Sequence, residues 1–187
     1  MPTLAVIVCS TRPGRIGLPI ASWFRGVAEA QGSFDVQLLD LKVVDLPIFD
    51  EPNHPMLADY VHEHTRRWSA MVAAADAFVF VTPEYNHSFN AATKNAIDHL
   101  HREWHHKAVG FVSYGGVSGG IRAVEALLPI CAALRMVPSV ANVVLPFPFS
   151  RFDDEGTFLG DDAMVGAANA MLAELERWTG ALATLRG

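Results

Sequence analysis

Five short runs, residues 4–9, 35–41, 77–82, 107–113 and 140–145, are rich in Val, Leu, Ile and Phe and recur along the chain with longer stretches of helical period between them. That rhythm constrains the fold most strongly. Short apolar runs suit strands buried on both faces, and strands separated by helices pair in parallel with helices covering both sides of the sheet. In the first intervening stretch Ile16, Ile20, Trp23, Phe24, Val27 and Ala28 follow the i, i+3, i+4 spacing of one buried helical face, with Pro19 in the first turn. Leu57, Tyr60, Val61, His64, Trp68, Met71, Val72 and Ala75 repeat the pattern, as do Ile121, Val124, Leu127, Leu128, Cys131 and Leu134. Met164, Ala168, Met171, Leu172, Leu175, Trp178 and Leu182 predict a last helix. A third helix over 90–101 has the weakest stripe, Ala96, Ile97 and Leu100, which suits packing against a partner subunit. The expectation is a doubly wound α/β fold in one domain, 1–187, with ligands at the carboxyl ends of the strands.

Composition narrows the partners. The 187 residues are 51% hydrophobic and 18% charged, enough apolar material for one core and far from the disordered regime. The net charge is −6 and no basic stripe is present, so a nucleic-acid partner is not expected and any phosphate must be bound locally. The first apolar run ends at Ser10 without a basic segment before it, and no run approaches the roughly 18 apolar residues that span a bilayer. No membrane partner is expected. Cys9 and Cys131 lie far apart in apolar contexts, which suits a reducing cytoplasm.

If the strands are parallel, the loops after the first, third and fourth lie side by side on one edge of the sheet. The first reads Cys9-Ser10-Thr11-Arg12-Pro13-Gly14-Arg15 and runs into a helix, an arrangement whose free N–H groups and positive macrodipole end attract an anion. It has two chemical readings. Cys-x5-Arg is also the phosphate cradle of cysteine-dependent phosphatases, which makes Cys9 a nucleophile; the other reading makes Cys9 a packing residue beside a cofactor-phosphate site. Pro13 removes an amide from such a cradle, and Ile16 stands where a hydroxyl would assist a thiolate leaving group, which weighs against the phosphatase. The second loop, Thr82-Pro83-Glu84-Tyr85-Asn86-His87, offers Tyr85 for stacking, and the third, Ser113-Tyr114-Gly115-Gly116-Val117-Ser118-Gly119-Gly120, offers close backbone approach. Together the loops frame a flat, phosphorylated ligand.

Four segments resemble the NADPH-dependent FMN reductase family, flavodoxin-like enzymes that include quinone, azo-dye and chromate reductases: Ser10-Thr11-Arg12-Pro13-Gly14-Arg15, Pro83-Glu84-Tyr85-Asn86, Lys94-Asn95-Ala96-Ile97-Asp98 and Ser113-Tyr114-Gly115-Gly116. The resemblance implies a flavodoxin-like three-layer sandwich with a five-stranded sheet in the order 2-1-3-4-5, the order for which flavodoxin with FMN is the standing example. It implies that Ser10, Thr11, Arg12, Arg15, Ile16 and Gly17 hold the FMN phosphate. Pro83, Glu84, Tyr85 and Asn86 then flank the isoalloxazine, and Ser113, Tyr114, Gly115 and Gly116 meet its pyrimidine edge. The implied activity is hydride transfer from NADPH or NADH to FMN and then to a small acceptor by a ping-pong route, with the flavin and no side chain carrying the chemistry. It also implies a homodimer or homotetramer meeting at the third helix, where Lys94 and Asp98 sit at i, i+4. Cys9 stands where these enzymes often have glycine, and Ile16-Gly17 where some have a phosphate-binding serine.

A flavodoxin-type electron carrier is the alternative, and the arginines of the first loop favour the reductase. His101, His105 and His106 read as polar residues near a helix end, so no metal is expected. His87 reads as a loop histidine beside the flavin segment. Two long loops, 42–56 and 146–160, suit either lids or decoration.

Overall fold

The computed structural model describes residues 1–186. Strands β1 (Thr3–Val8), β2 (Asp35–Asp40), β3 (Ala77–Pro83), β4 (Ala108–Gly115), β5 (Val137–Pro138) and β6 (Val143–Pro146) form one parallel sheet. Their order is β2-β1-β3-β4-β5, with β6 also paired to β4, so the expected flavodoxin-like topology is present. Six helices flank the sheet: α1 (Gly17–Gln31), the short α2 (Leu41–Val44), α3 (Glu63–Ala73), α4 (Ala91–Asp98), α5 (Ile121–Ala133) and α6 (Asp162–Arg186). No helix among the described residues is long and apolar enough to cross a membrane.

Period-2 alternation divides each central strand between two cores. Leu4, Val6 and Val8 of β1, with Ala77, Val79 and Val81 of β3, pack beneath α1 and α6 against Phe24, Met171 and Leu172. Ala5, Ile7 and Cys9, with Phe78 and Phe80, face Trp68 of α3, Ile97 of α4 and Leu127 of α5. All of these are nearly inaccessible to solvent, which explains why β1 and β3 read as continuous apolar runs.

Three elements differ from their sequence expectation, two of them because a distant carboxylate takes up backbone groups. The second predicted helix starts at Glu63 rather than near Leu57. The buried Glu51 carboxylate accepts the N–H groups of Val61 (2.7 Å) and His62 (3.0 Å), which holds those residues extended and delays the first turn. The third predicted helix is shorter than 90–101, ending at Asp98 with His99 as its cap.

The predicted strand over 140–145 is split and displaced: β5 precedes it, β6 takes only its second half, and 139–142 leave the ladder. The cause is Glu174 of α6, whose carboxylate accepts from Ser139 Oγ (2.6 Å), Val140 N (3.1 Å) and Ala141 N (3.0 Å). In the gap Asn142 Oδ1 accepts the Phe111 N–H at 3.1 Å, so β4 loses no partner.

Burial alone raises the Glu174 carboxyl, but the hydrogen bonds from Ser139, Ala141 and Val140 outweigh it and pull the pKa down from 4.5 to about 2. Its folded value lies below its unfolded one, so its stabilisation is complete above the unfolded pKa and is lost as pH falls through the folded pKa. Glu174→Gln should cost about 1–2 kcal/mol at pH 7, allowing for partial solvent screening. Urea midpoints should show the gap between variant and wild type closing toward pH 2; a pH-independent gap would mean that the carboxylate charge contributes nothing.

Candidate active site

The loops after β1, β3 and β4 meet at the carboxyl edge of the sheet, beside the N-terminus of α1. Val8 of β1 pairs with Asp40 of β2 on one side and Val81 of β3 on the other, and Thr82 pairs with Ser113 of β4. A cavity of about 140 Å³ lies between the loops, lined by Ser10, Arg12, Arg15, Ile16, Pro83, Glu84, Tyr85, Tyr114, Gly115, Gly116 and Phe149. Ten of the fourteen residues expected at the site line it. Thr11 instead faces a neighbouring groove of about 1030 Å³ with Phe49, Phe89 and Asn90.

The start of α1 is prepared for an anion. Its N-cap, Ile16, supplies no side-chain acceptor and the first turn carries no acid, so the leading N–H groups have no side-chain partner. Ser10 is buried, and its Oγ, like Tyr114 Oη, has no hydrogen-bond partner. Burial pushes the Tyr114 hydroxyl above its ordinary pKa by more than the nearby Ser10 hydroxyl, which lies outside good hydrogen-bond geometry, draws it down, so it stays a neutral donor. A Cβ placed on Gly17 would collide with both Ser10 Oγ and Tyr114 Oη, which shows how closely the two hydroxyls approach the backbone. Unpartnered buried hydroxyls cost stability, and an anion at the helix N-terminus would satisfy them. Arg12, exposed above this point, makes only a 3.3 Å contact with the Pro13 carbonyl and keeps most of its donors for a ligand.

The other charged residues of the loops are held within the protein. Arg15 forms a bidentate pair with Asp40 at the end of β2, both contacts at 2.5 Å, and donates to the Ser10 carbonyl at 2.6 Å. Its guanidinium therefore braces the loop. Asn90, ahead of α4, donates to the Cys9 carbonyl at 2.8 Å and braces it from the other face.

Glu84 is half-buried, its side chain 7% exposed, and it accepts from Ser118 Oγ (2.5 Å) and Arg122 Nε (2.6 Å), tying the second loop to the start of α5. Burial raises its carboxyl and these two partners lower it further, leaving it below the usual carboxylate range. Beyond it, Tyr85 and Ser88 exchange backbone hydrogen bonds at 2.8 and 3.0 Å across Asn86 and His87, which take positive φ of 50° and 66°. That is a two-residue hairpin turn, and it presents Tyr85 half-exposed at the cavity rim. Ser113 turns inward, its Oγ donating to the Gly119 carbonyl at 2.9 Å. Gly120, at φ 91°, packs so closely on the Tyr114 N–H that no side chain fits.

Cys9 lies on the other side of the sheet. It is fully buried among Ile7, Phe80 and the α3–α5 core, its Sγ–H pointing to the Ile7 carbonyl at 3.6 Å. Burial pushes its thiol up to about 12, so the phosphatase reading lacks both a thiolate and access to it. Lys94 and Asp98 form an exposed pair at 2.5 Å within α4.

Sequence reasoning missed Asp40, Asn90, Ser118, Arg122 and Phe149, the residues that orient the loops or close the rim. Only the strand-end position of Asp40, beside the arginine loop in a parallel sheet, gave a usable signal.

Known proteins resemble this chain over most of its length. An NAD(P)H-dependent FMN reductase of Schizosaccharomyces pombe is 39% identical over 149 residues, covering 78% of this chain and 74% of its own. One from a Nectria species is 35% identical over 184 residues, covering 91% and 89%. The solved structure of FerB, a flavoenzyme NAD(P)H:(acceptor) oxidoreductase from Paracoccus denitrificans, superposes with a TM-score of 0.76 at 23% identity, over 97% of this chain and 98% of its own, and so shares the fold. A sequence profile of NADPH-dependent FMN reductases matches residues 2–148, and by that match the chain belongs to the NADPH-dependent FMN reductase family.

Proposed function

We propose that this chain is an FMN-dependent NAD(P)H oxidoreductase whose cofactor phosphate sits at the N-terminus of α1. The observation that carries the reading is the pair of buried, unpartnered hydroxyls, Ser10 Oγ and Tyr114 Oη, beside an uncapped helix start with Arg12 above it. Ser10, Arg12, Tyr114 and the amides from Ile16 and Gly17 hold the phosphate; Arg15, through Asp40, keeps the loop in shape. The 140 Å³ cavity is smaller than the about 300 Å³ of the smallest typical ligand sites, so it takes the phosphate end and one ring edge. Pro83, Glu84, Tyr85 and Asn86, the amides of Tyr114 to Gly116 and Phe149 would hold the ring at the rim.

Bound FMN supplies the two-electron chemistry, taking hydride from NAD(P)H and returning it to a small acceptor such as a quinone, azo compound or free flavin. The side chains bind and orient; none acts as nucleophile or general acid. Glu84, ionised and held by Ser118 and Arg122, keeps the ring-flanking loop rigid. Tyr85 and Phe149, both exposed and both lining the cavity, would leave one approach to a ring held there, which donor and acceptor would use in turn.

The test is direct. Protein loaded with FMN should bleach on anaerobic addition of NADPH, recover its colour with a quinone, and give parallel double-reciprocal lines. Colour that persists under NADPH makes the chain an electron carrier, and intersecting lines remove the shared rim.

A further inference from the structure

A second cluster lies where the long connection between β2 and α3 meets the end of α4. His99, the cap of α4, is fully buried, with Nδ1 at 2.8 Å from the carbonyl oxygen of Asn95. A carbonyl oxygen only accepts, so Nδ1 carries the proton and Nε2 presents a lone pair. That Nε2 is buried and has no partner. One ligand atom each from Asp50, His64 and His99 lie within 4.8 Å of one another, and His64 Nε2 is 3.0 Å from Asp50 Oδ1.

The three side chains are carried on braced backbone. Before Asp50, Phe49 N–H donates to Asn95 Oδ1 at 2.9 Å, and Asn95 Nδ2 donates to the Pro47 carbonyl at 2.7 Å. After it, Glu51 grips the Val61 and His62 amides just ahead of His64. The His62 ring stacks on His64 at 5.2 Å, and Phe49 packs edge-on to His99 at 5.2 Å. Ligands held this way lose little freedom on closing around an ion.

We infer that Asp50, His64 and His99 form a binding site for one zinc ion. Two imidazoles and one carboxylate suit a borderline divalent ion over calcium or magnesium, which favour oxygen-rich shells. The hydrogen bond from His99 Nδ1 to a backbone carbonyl is the outer contact that orients zinc-binding histidines. His64 now donates from Nε2 to Asp50; on binding, that proton relocates to Nδ1 and both groups turn their lone pairs to the metal. The side chains of His64 and Asp50 are 21% and 41% exposed, so water reaches the fourth position. The ion clamps the connection 45–62 to α4 and fixes Ile48 and Phe49, which line the large groove beside Thr11.

Titration of the EDTA-treated, desalted chain with Zn²⁺ by calorimetry should show about one equivalent bound, and excess Zn²⁺ at about 100-fold the Kd should raise Tm by about 5–10 °C. Asp50→Asn and His64→Gln, both at positions open to solvent, should each weaken binding at least about tenfold and remove the Tm rise, while His101→Gln leaves both unchanged. Absence of binding overturns the site, as does wild-type affinity in the Asp50 and His64 variants. Loss of binding in His101→Gln with retention in Asp50→Asn places the ion elsewhere and also overturns it.

Discussion

Arg12→Ala should raise the Kd for FMN by about 10- to 100-fold while leaving Tm of the cofactor-free protein unchanged. Arg12 is exposed and its one internal contact is a 3.3 Å approach to the neighbouring Pro13 carbonyl, so removing it costs the fold almost nothing. A charge-assisted hydrogen bond to phosphate contributes about 1.5–3 kcal/mol, and each 1.4 kcal/mol is a factor of ten in Kd. Gly17→Ala should reach a similar or larger loss by another route, because its methyl group enters the space between Ser10 Oγ and Tyr114 Oη. Cys9→Ala should leave the Kd within about twofold, since its side chain packs on the opposite face of the sheet. Flavin fluorescence titration of the three variants decides the matter. Equal Kd values for Arg12→Ala and wild type would remove the phosphate from this loop, and a large loss in Cys9→Ala would return weight to the thiol.

Trp104→Ala should lower unfolding stability by about 4 kcal/mol, a large part of the 5–15 kcal/mol typical of a domain. Trp104 is fully buried on the short turn after α4, its ring at 4.9 Å from Phe78 and 6.1 Å from both Trp68 and Phe80. Its indole N–H donates to the Ile97 carbonyl at 3.1 Å, which ties the turn to α4. Neighbours anchored to the sheet cannot collapse into the space left behind, so the cavity cost adds to the lost burial. Urea unfolding should show a lower midpoint with an unchanged slope. Trp104→Phe, which keeps much of the volume, should cost about half as much or less. FMN affinity of the folded fraction should hold, because this core lies on the far side of the sheet from the phosphate hydroxyls.

Much of this architecture was legible because burial leaves a local trace. Leu4, Val6 and Val8 belong to one core and Ala5, Ile7 and Cys9 to the other, and that double burial is what makes the run continuous. The loop contents carry a similar trace. Once the strands are parallel, Arg12, Tyr85 and Gly115 must share an edge, and ten of the fourteen expected residues line one cavity there.

The remainder depends on charges that act across long sequence separations. Arg15 reads like Arg12, two basic residues in one loop, yet Asp40, 25 positions away, takes its guanidinium. Glu51 sets the start of α3 and Glu174 breaks the fifth strand, each by accepting amides whose own sequences favour the regular element. His64 fits a helical stripe as well as any apolar residue, and only the approach of Asp50 and His99 makes it a candidate ligand.

The sequence by itself determined the layered parallel fold, the edge at which the loops gather and the family to which they belong, because apolar periodicity and loop composition act over a few residues. Tertiary structure alone decided which arginine is available to a phosphate, where the elements end and where the histidines meet. A carboxylate or imidazole is satisfied by whatever partner the fold brings within about 3 Å, and that distance has no counterpart in sequence spacing.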